Sequence, residues 1–401
     1  MRRQIGYGYR HAAAGRAKNA VRSAVHALPH RFRARLAGLI MPAGPPSGAG
    51  PDEPGAAADP GPPAAAAEAG HAAEAGPAAG AGPAGETGPQ PPPEPALDEV
   101  AELVRRATEL PFETWQEHGW HLTPNHFYSP IPDTRTLTDE LWQRESELPG
   151  IDMRDDAQLA LLNGIVDRLG AELDALPCQQ QEADAGGYFV DNGAFESVDA
   201  ELYYSMIRSH RPDRVVEIGA GWSTLLSIQA LRANHSDAAD ATGHLLAVEP
   251  YPYDFVRAAL EEASDVAELR DTPLQDLPLD VFESLGHNDI LFIDSSHVLR
   301  IGSDVQYAFM EVLPRLRPGV LVHVHDVFLP GEYPKEWLLG TEHRFWNEQY
   351  LLQAYLSHNS RREVIWGSSW MHRRHPAELE KAFASYDRGT RFPGSFWFRC
   401  T

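Results

Sequence analysis

The segment Arg214-Val-Val-Glu-Ile-Gly-Ala-Gly-Trp-Ser-Thr224 ends a β-branched run abruptly in two glycines, with an acidic residue just before them. β-Branched residues favour a pleated strand, and the glycines permit a tight turn. Ser223 and Thr224 can then cap a helix whose N-terminus points at the turn. Gly219 and Gly221 also remove the Cβ atoms that would keep a ligand off the backbone. This is nucleotide-binding geometry, although not the dinucleotide fingerprint, because Thr224 stands where its last glycine should be. The segment His244-Leu-Leu-Ala-Val-Glu-Pro250 supplies a second apolar strand ending in a carboxylate. In a parallel sheet Glu249 lies beside the glycine turn, where it can accept both hydroxyls of a ribose. A solvated strand end before Pro250 is the plainer reading of Glu249 alone, and the glycine turn tips the choice to the ribose.

Charge is distributed unevenly over the 401 residues. Nine of the 34 basic side chains and none of the 57 acidic ones fall in residues 1–50, so the rest carries about 32 net negative charges. A field of that sign disfavours nucleic acid as a partner. Cys178 and Cys400 are the only cysteines, which excludes a disulfide framework or a cysteine metal cluster and fits a reducing cytoplasm. No apolar run reaches membrane-spanning length. Residues 1–40 read as a basic arm, with Val21, Val25, Leu28, Phe32 and Leu36 at helical spacing. Peripheral membrane contact is an alternative for this arm, but its apolar face is thin. Residues 41–97, nearly all Ala, Gly and Pro, read as a disordered linker.

Helical spacing resumes near Leu97, the prolines of Asn125-His-Phe-Tyr-Ser-Pro-Ile-Pro-Asp133 force an extended path, and helices follow over 155–175 and 197–210, the latter capped by Ser197. Residues 98–210 thus form a helical extension before a sheet domain over 211–401. Strands at 214–218, 244–248, 267–270, 289–293 and 319–324 alternate with helices at 223–233, 253–263, 275–285 and 303–316. Such alternation predicts a doubly wound, mostly parallel α/β sheet. A helix near 344–358, a strand at 362–366 and a weak helix at 376–386 precede the apolar run Ser395-Phe-Trp-Phe-Arg-Cys400. That run enters as an antiparallel last strand, giving seven strands in a Rossmann-like sheet.

Taken together, Glu217-Ile-Gly-Ala-Gly221, Val248-Glu249, Ile293-Asp294 and the closing strand pair resemble a class I S-adenosylmethionine-dependent methyltransferase. Phe127-Tyr-Ser-Pro-Ile-Pro132, Ile293-Asp-Ser-Ser-His297, His325-Asp-Val-Phe-Leu-Pro330 and Phe345-Trp-Asn-Glu-Gln-Tyr-Leu-Leu352 resemble a bacterial subfamily associated with glycan or natural-product tailoring. The resemblance covers about residues 120–400, and Ser223 departs from it by replacing a third glycine. It implies S-adenosyl-L-methionine as cofactor. Glu217, Gly219, Ala220, Gly221 and Trp222 would border its methionine end, Glu249 its ribose, and Asp271 and Thr272 its adenine. Methyl transfer from a sulfonium then asks only for a close, aligned and deprotonated nucleophile.

Asp294 and Asp326 end adjacent strands, with His297 and His325 beside them. Asp294, His325 and Asp326 are candidate ligands of a divalent cation, magnesium or manganese, that activates a hydroxyl; histidine suits magnesium poorly. Alternatively His297 or His325, with Asp294, supplies a general base directly. Taken singly, His325 reads as a packed strand residue and His297 as a helix cap. Tyr333, Trp337, Phe345, Trp346 and Tyr350 follow, with Trp346 and Tyr350 read as core and the Pro330–Pro334 loop as an acceptor lid. The leading reading is O-methylation of a hydroxyl on a sugar, glycan intermediate or small natural product. A nucleotide-dependent oxidoreductase and a non-catalytic scaffold that keeps the fold are the competing readings. The acceptor's identity and the oligomeric state stay open.

Overall fold

A computed structural model describes residues 94–401 apart from residue 185. The basic arm over 1–40 and most of the linker expected over 41–97 therefore lie outside the described residues. The chain divides into two compact units, with the boundary between Asp133 and Thr134. In the first, helix α1 (Glu94–Ala107) is followed by the short α2 (Phe112–Gln116), and the Trp115 indole N–H donates to the Ala107 carbonyl at 3.0 Å. From Asn125 to Asp133 the backbone is non-helical, as its prolines require.

The second unit opens with α3 (Asp139–Gln143), α4 (Asp155–Leu173) and α5 (Asp199–His210). Then come β1 (Arg214–Ile218), α6 (Trp222–Asp237), β2 (His244–Val248), α7 (Asp254–Glu262), β3 (Ala267–Arg270), α8 (Asp280–Glu283), β4 (Ile290–Ile293), α9 (Asp304–Tyr307) and β5 (Leu321–Val324). The chain closes with α10 (Lys335–Leu339), α11 (Glu348–Leu356), β6 (Arg362–Gly367), α12 (Ser368–Arg374), α13 (Pro376–Ala382) and β7 (Phe396–Cys400). The seven strands lie in the order β3-β2-β1-β4-β5-β7-β6. Only β7 runs against its neighbours, pairing antiparallel with both β5 and β6. The sheet is the mostly parallel Rossmann-like one, with the antiparallel last strand.

Because successive side chains of a strand point to opposite faces, both sides of the sheet are cored. Val215, Leu245, Ala247, Ile290, Phe292 and Trp397 face one cluster, while Val216, Ile218, Val248, Leu291, Ile293 and Phe398 face the other. Two expected helices come out shorter. The 275–285 helix contracts to a 3-10 turn at Leu274–Asp276 and to α8. The 303–316 helix breaks after Tyr307 into a π-helical turn, Ala308–Val312, and a 3-10 turn at Leu313–Arg315, where Pro314 lacks an N–H to continue it. Ser197 does not cap α5, which begins at Asp199 with Val198 at its N-cap; the Ser197 hydroxyl instead accepts from that of Ser385 at 2.7 Å.

Candidate active site

β1 and β4 are adjacent and parallel, so the turns that follow them share one edge of the sheet. Gly219 occupies the left-handed region at φ +87°, and a Cβ there would lie 1.7 Å from the Asp294 carbonyl oxygen. The glycine turn thus rests directly on the end of β4. At Gly221, by contrast, a Cβ would meet nothing within 4 Å. Glu249 stands beside this turn, accepting from the Ala220 N–H at 3.4 Å and from the Tyr251 N–H at 2.8 Å. Burial raises its carboxyl above the usual range, against those two N–H groups.

Glu217 is fully buried beneath the turn. Ser223 and Thr224 donate to its Oε1 at 2.6 and 2.8 Å, and Ser227 to its Oε2 at 3.3 Å. The two hydroxyls expected to cap α6 therefore face inward. Thr224 Oγ1 still accepts the Gly221 N–H at 3.0 Å, so Glu217 holds the turn in place through Thr224 and does not border it directly. Burial pushes Glu217 up to about 7 despite the donated hydroxyls. Trp222 packs between Phe189, met edge-on, and Phe255, tilted by 31°, each ring 4.8 Å away.

On the adjoining strand ends, Asp294, His297, His325 and Asp326 converge as the sequence implies. His297 sits at φ +56° and Asp326 at φ +57°, so each loop doubles back immediately after its strand. His297 Nε2 lies 3.3 Å from Asp294 Oδ1 and 3.4 Å from Asp326 Oδ2. Among the described residues, Asp294, His297 and Asp326 bring three ligand atoms within 4.8 Å of one another. His297, and not His325, completes that set. The His325 Nε2 faces buried Asp199 at 3.3 Å, and its Nδ1 points back at Asp294 and Asp326 from 3.5 and 3.7 Å without a hydrogen-bond partner.

The electrostatics follow from two imidazoles among carboxylates in a dry site. Burial alone would lower His297, but Asp294, Glu348 and Asp326 outweigh it and push it up to about 10. His325, also opposed by burial, is raised by Asp294, Asp326 and Asp199. Asp294 falls well below the carboxylate range because both imidazoles face it, although burial opposes this. Asp326 is raised by burial. The surrounding carboxylates thus favour the charged form of both imidazoles.

Residues 216–327, which span the glycine turn, Glu249 and this cluster, match a family model described as a methyltransferase domain. The chain carries a methyltransferase domain. An uncharacterized protein of Archaeoglobus fulgidus is 34% identical over 182 residues, 44% of this chain and 78% of the archaeal protein, and the two belong to one family. Among solved structures, similarity extends to a putative protein-L-isoaspartate O-methyltransferase from Plasmodium falciparum in complex with S-adenosyl-L-homocysteine. The identity is 10% and the TM-score 0.24, covering 43% of this chain and 78% of that one. A putative methyltransferase from Thermobifida fusca gives 12% and 0.29, covering 65% and 96%.

Other expected residues of the methyltransferase domain lie away from this cluster. Asp271 is exposed and pairs with Arg257 at 3.4 Å, and the Thr272 hydroxyl reaches only the Pro273 carbonyl. Neither makes a contact at the glycine turn. A surface groove, bordered by Asp213, Arg214, His244 and Glu268, opens at the start of the strands, away from this chemistry. The Pro330–Pro334 loop, expected as an acceptor lid, is packed down: Tyr333 is 1% exposed and its hydroxyl accepts the Gln349 N–H at 3.0 Å. His297 caps no helix, since Ser303 caps α9. Nor is Trp346 a helix core residue. It precedes α11 and lies on the His297 ring at 4.2 Å, while Tyr350 is 45% exposed.

Two buried carboxylates enter the site that the sequence does not mark as site residues, Asp199 reading there only as a first-turn acid of its helix. Asp199, the first residue of α5, accepts from the Gly394 and Ser395 N–H groups at 2.7 and 2.9 Å and faces His325. Glu348, the first residue of α11, holds His297 Nδ1 at 3.0 Å. Glu348 falls in the 345–352 motif, where a lone acid amid aromatics was the available signal.

Proposed function

We propose that the methyltransferase domain takes S-adenosyl-L-methionine and methylates a hydroxyl on a sugar, a glycan intermediate or a small natural product. The observation that carries this reading is the contact of Gly219 with Asp294, because it puts a glycine cradle and an acid–histidine cluster side by side on one sheet edge. The open space at Gly221 and the Glu249 carboxylate beside Ala220 suit a cofactor with a ribose. The next strand ends then present the acceptor.

In this reading Asp294, His297 and Asp326 hold a divalent cation, with manganese better suited than magnesium to a donor set containing imidazole. When bound, such an ion lowers the pKa of a coordinated hydroxyl. The unpartnered His325 Nδ1, turned toward the cluster, is a second feature that suits a ligand there. With a cation bound beside it, His325 would lose its proton to solvent, and the freed Nδ1, with Asp199 fixing the opposite nitrogen, would take the acceptor proton. His297, tied to three carboxylates, is the poorer base.

Calorimetry against S-adenosylmethionine and NAD tests the cofactor, with binding of the first alone expected. Transfer assays on hydroxylated acceptors, with chelator and with added manganese, test the acceptor end. Binding of NAD in place of S-adenosylmethionine would overturn the proposal. Full activity in chelator would leave the cofactor reading and remove the cation.

A further inference from the structure

We infer that Glu348 is the positioning residue that aims His297 at the cation, an inference that rests on reading Asp294, His297 and Asp326 as a divalent-cation site. Three consecutive residues grip His297 from different sides. Trp346 covers one ring face at 4.2 Å. The Asn347 and Glu348 N–H groups donate to the His297 carbonyl at 3.1 and 3.2 Å, and Glu348 Oε2 lies 3.0 Å from ring Nδ1. Asn347 reaches past it to accept the Leu299 N–H at 2.6 Å. The left-handed turn at His297 is therefore locked by backbone and side chain together.

A carboxylate at Nδ1 keeps the proton on that nitrogen and leaves the Nε2 lone pair for a metal, and its charge makes Nε2 a stronger donor. Nε2 is the atom that faces Asp294 and Asp326. Glu348 is 1% exposed and its Oε1 has no partner, a cost that an apolar side chain would avoid. That a carboxyl group occupies this place, 3.0 Å from Nδ1, fits a role in polarising His297. Glu348 lies beyond the 216–327 match to the methyltransferase domain, so the ligands come from the domain and their orienting group from the helix that follows it.

The test uses the full chain and manganese(II) as the probe, with free ion counted by electron paramagnetic resonance. Glu348→Gln retains an oxygen to accept the Nδ1 proton but loses the charge, and Glu348→Ala loses both. Expected are about tenfold weaker manganese binding in the first and about a hundredfold in the second. In zinc(II)-loaded protein labelled with nitrogen-15 histidine, the Nδ1–H form of His297 should persist in Glu348→Gln and be lost in Glu348→Ala. Should Glu348→Ala unfold, the isosteric Gln variant carries the comparison. Manganese bound as tightly by the folded Gln variant as by the wild type would overturn the role of Glu348. A wild type that binds no manganese would instead remove the cation site itself, and this inference with it.

Discussion

Glu217→Gln should stabilise the protein above neutral pH and do so progressively less as pH falls. The carboxyl is fully buried under the glycine turn, and its pKa rises from an ordinary 4.5 to about 7. A folded value above the unfolded one means that the native state holds the extra proton between these limits. Stability contributed by this group is therefore complete below pH 4.5 and is lost as pH climbs to 7. At about 1.4 kcal/mol per unit, the loss is on the order of 3 kcal/mol.

Glutamine carries no charge to bury and keeps the local bonding. Its oxygen can take the Ser223 and Thr224 hydroxyls, while its amide donates toward Ser227 and Tyr203, whose oxygens lie within 3.3 to 3.5 Å of Oε2. Weaker neutral bonds return about 1 kcal/mol of the gain. Urea unfolding of both proteins at pH 5, 6, 7 and 8 isolates the effect as a difference, since other titrating groups cancel. The offset from weaker bonds is the same at every pH, so the variant should gain about 2–3 kcal/mol on the wild type between pH 5 and pH 8. Parallel curves, or a wild type that gains on the variant as pH rises, would show that the hydroxyls hold Glu217 as a carboxylate and that burial does not dominate.

Gly219→Ala combines a left-handed φ with a Cβ 1.7 Å from the Asp294 carbonyl, so it should cost more than about 3 kcal/mol in urea unfolding. Gly221→Val should leave the melting temperature nearly unchanged, because its Cβ meets nothing within 4 Å, while abolishing S-adenosylmethionine binding in calorimetry. Glu249→Ala should weaken that binding by about 1.5–3 kcal/mol, the worth of hydrogen bonds to a charged group. Arg208→Ala removes a guanidinium bonded to Glu172, Asn234 and Asp237. Both acids left behind are partly solvated, so thermal or urea denaturation should register about 2–3 kcal/mol, below the 3–5 typical of a fully buried pair.

The sheet was legible in the sequence because its signal is local. β1, β2 and β3 match the apolar runs residue for residue, since glycine or a turn bounds each of them. The helix after β4 was not legible in the same way, because the π turn at Ala308–Val312 keeps helical spacing of apolar residues while changing the hydrogen bonding. At the site, strand ends placed Asp294 and Asp326 together, but spacing carries no record of loops that turn back at positive φ. The left-handed residues 297 and 326 decide which imidazole nitrogen faces the carboxylates, and so His297 took the place foreseen for His325. Asp199 and Glu348 come from helices far along the chain, and only tertiary packing brings them in.

β7 lies between β5 and β6, and its approach residues Gly394 and Ser395 supply the N–H groups that hold Asp199. Nearly two hundred residues of chain thus separate a carboxylate from the backbone that fixes it. During synthesis, Arg214–Val324 can form its parallel strands while the Asp199 end of the site still lacks its fasteners. Contacts of such separation form late and slowly. A chain stopped before Gly394 would display the glycine turn and yet leave His325 untethered, so the ability to bind and the ability to react should emerge from the ribosome at different lengths.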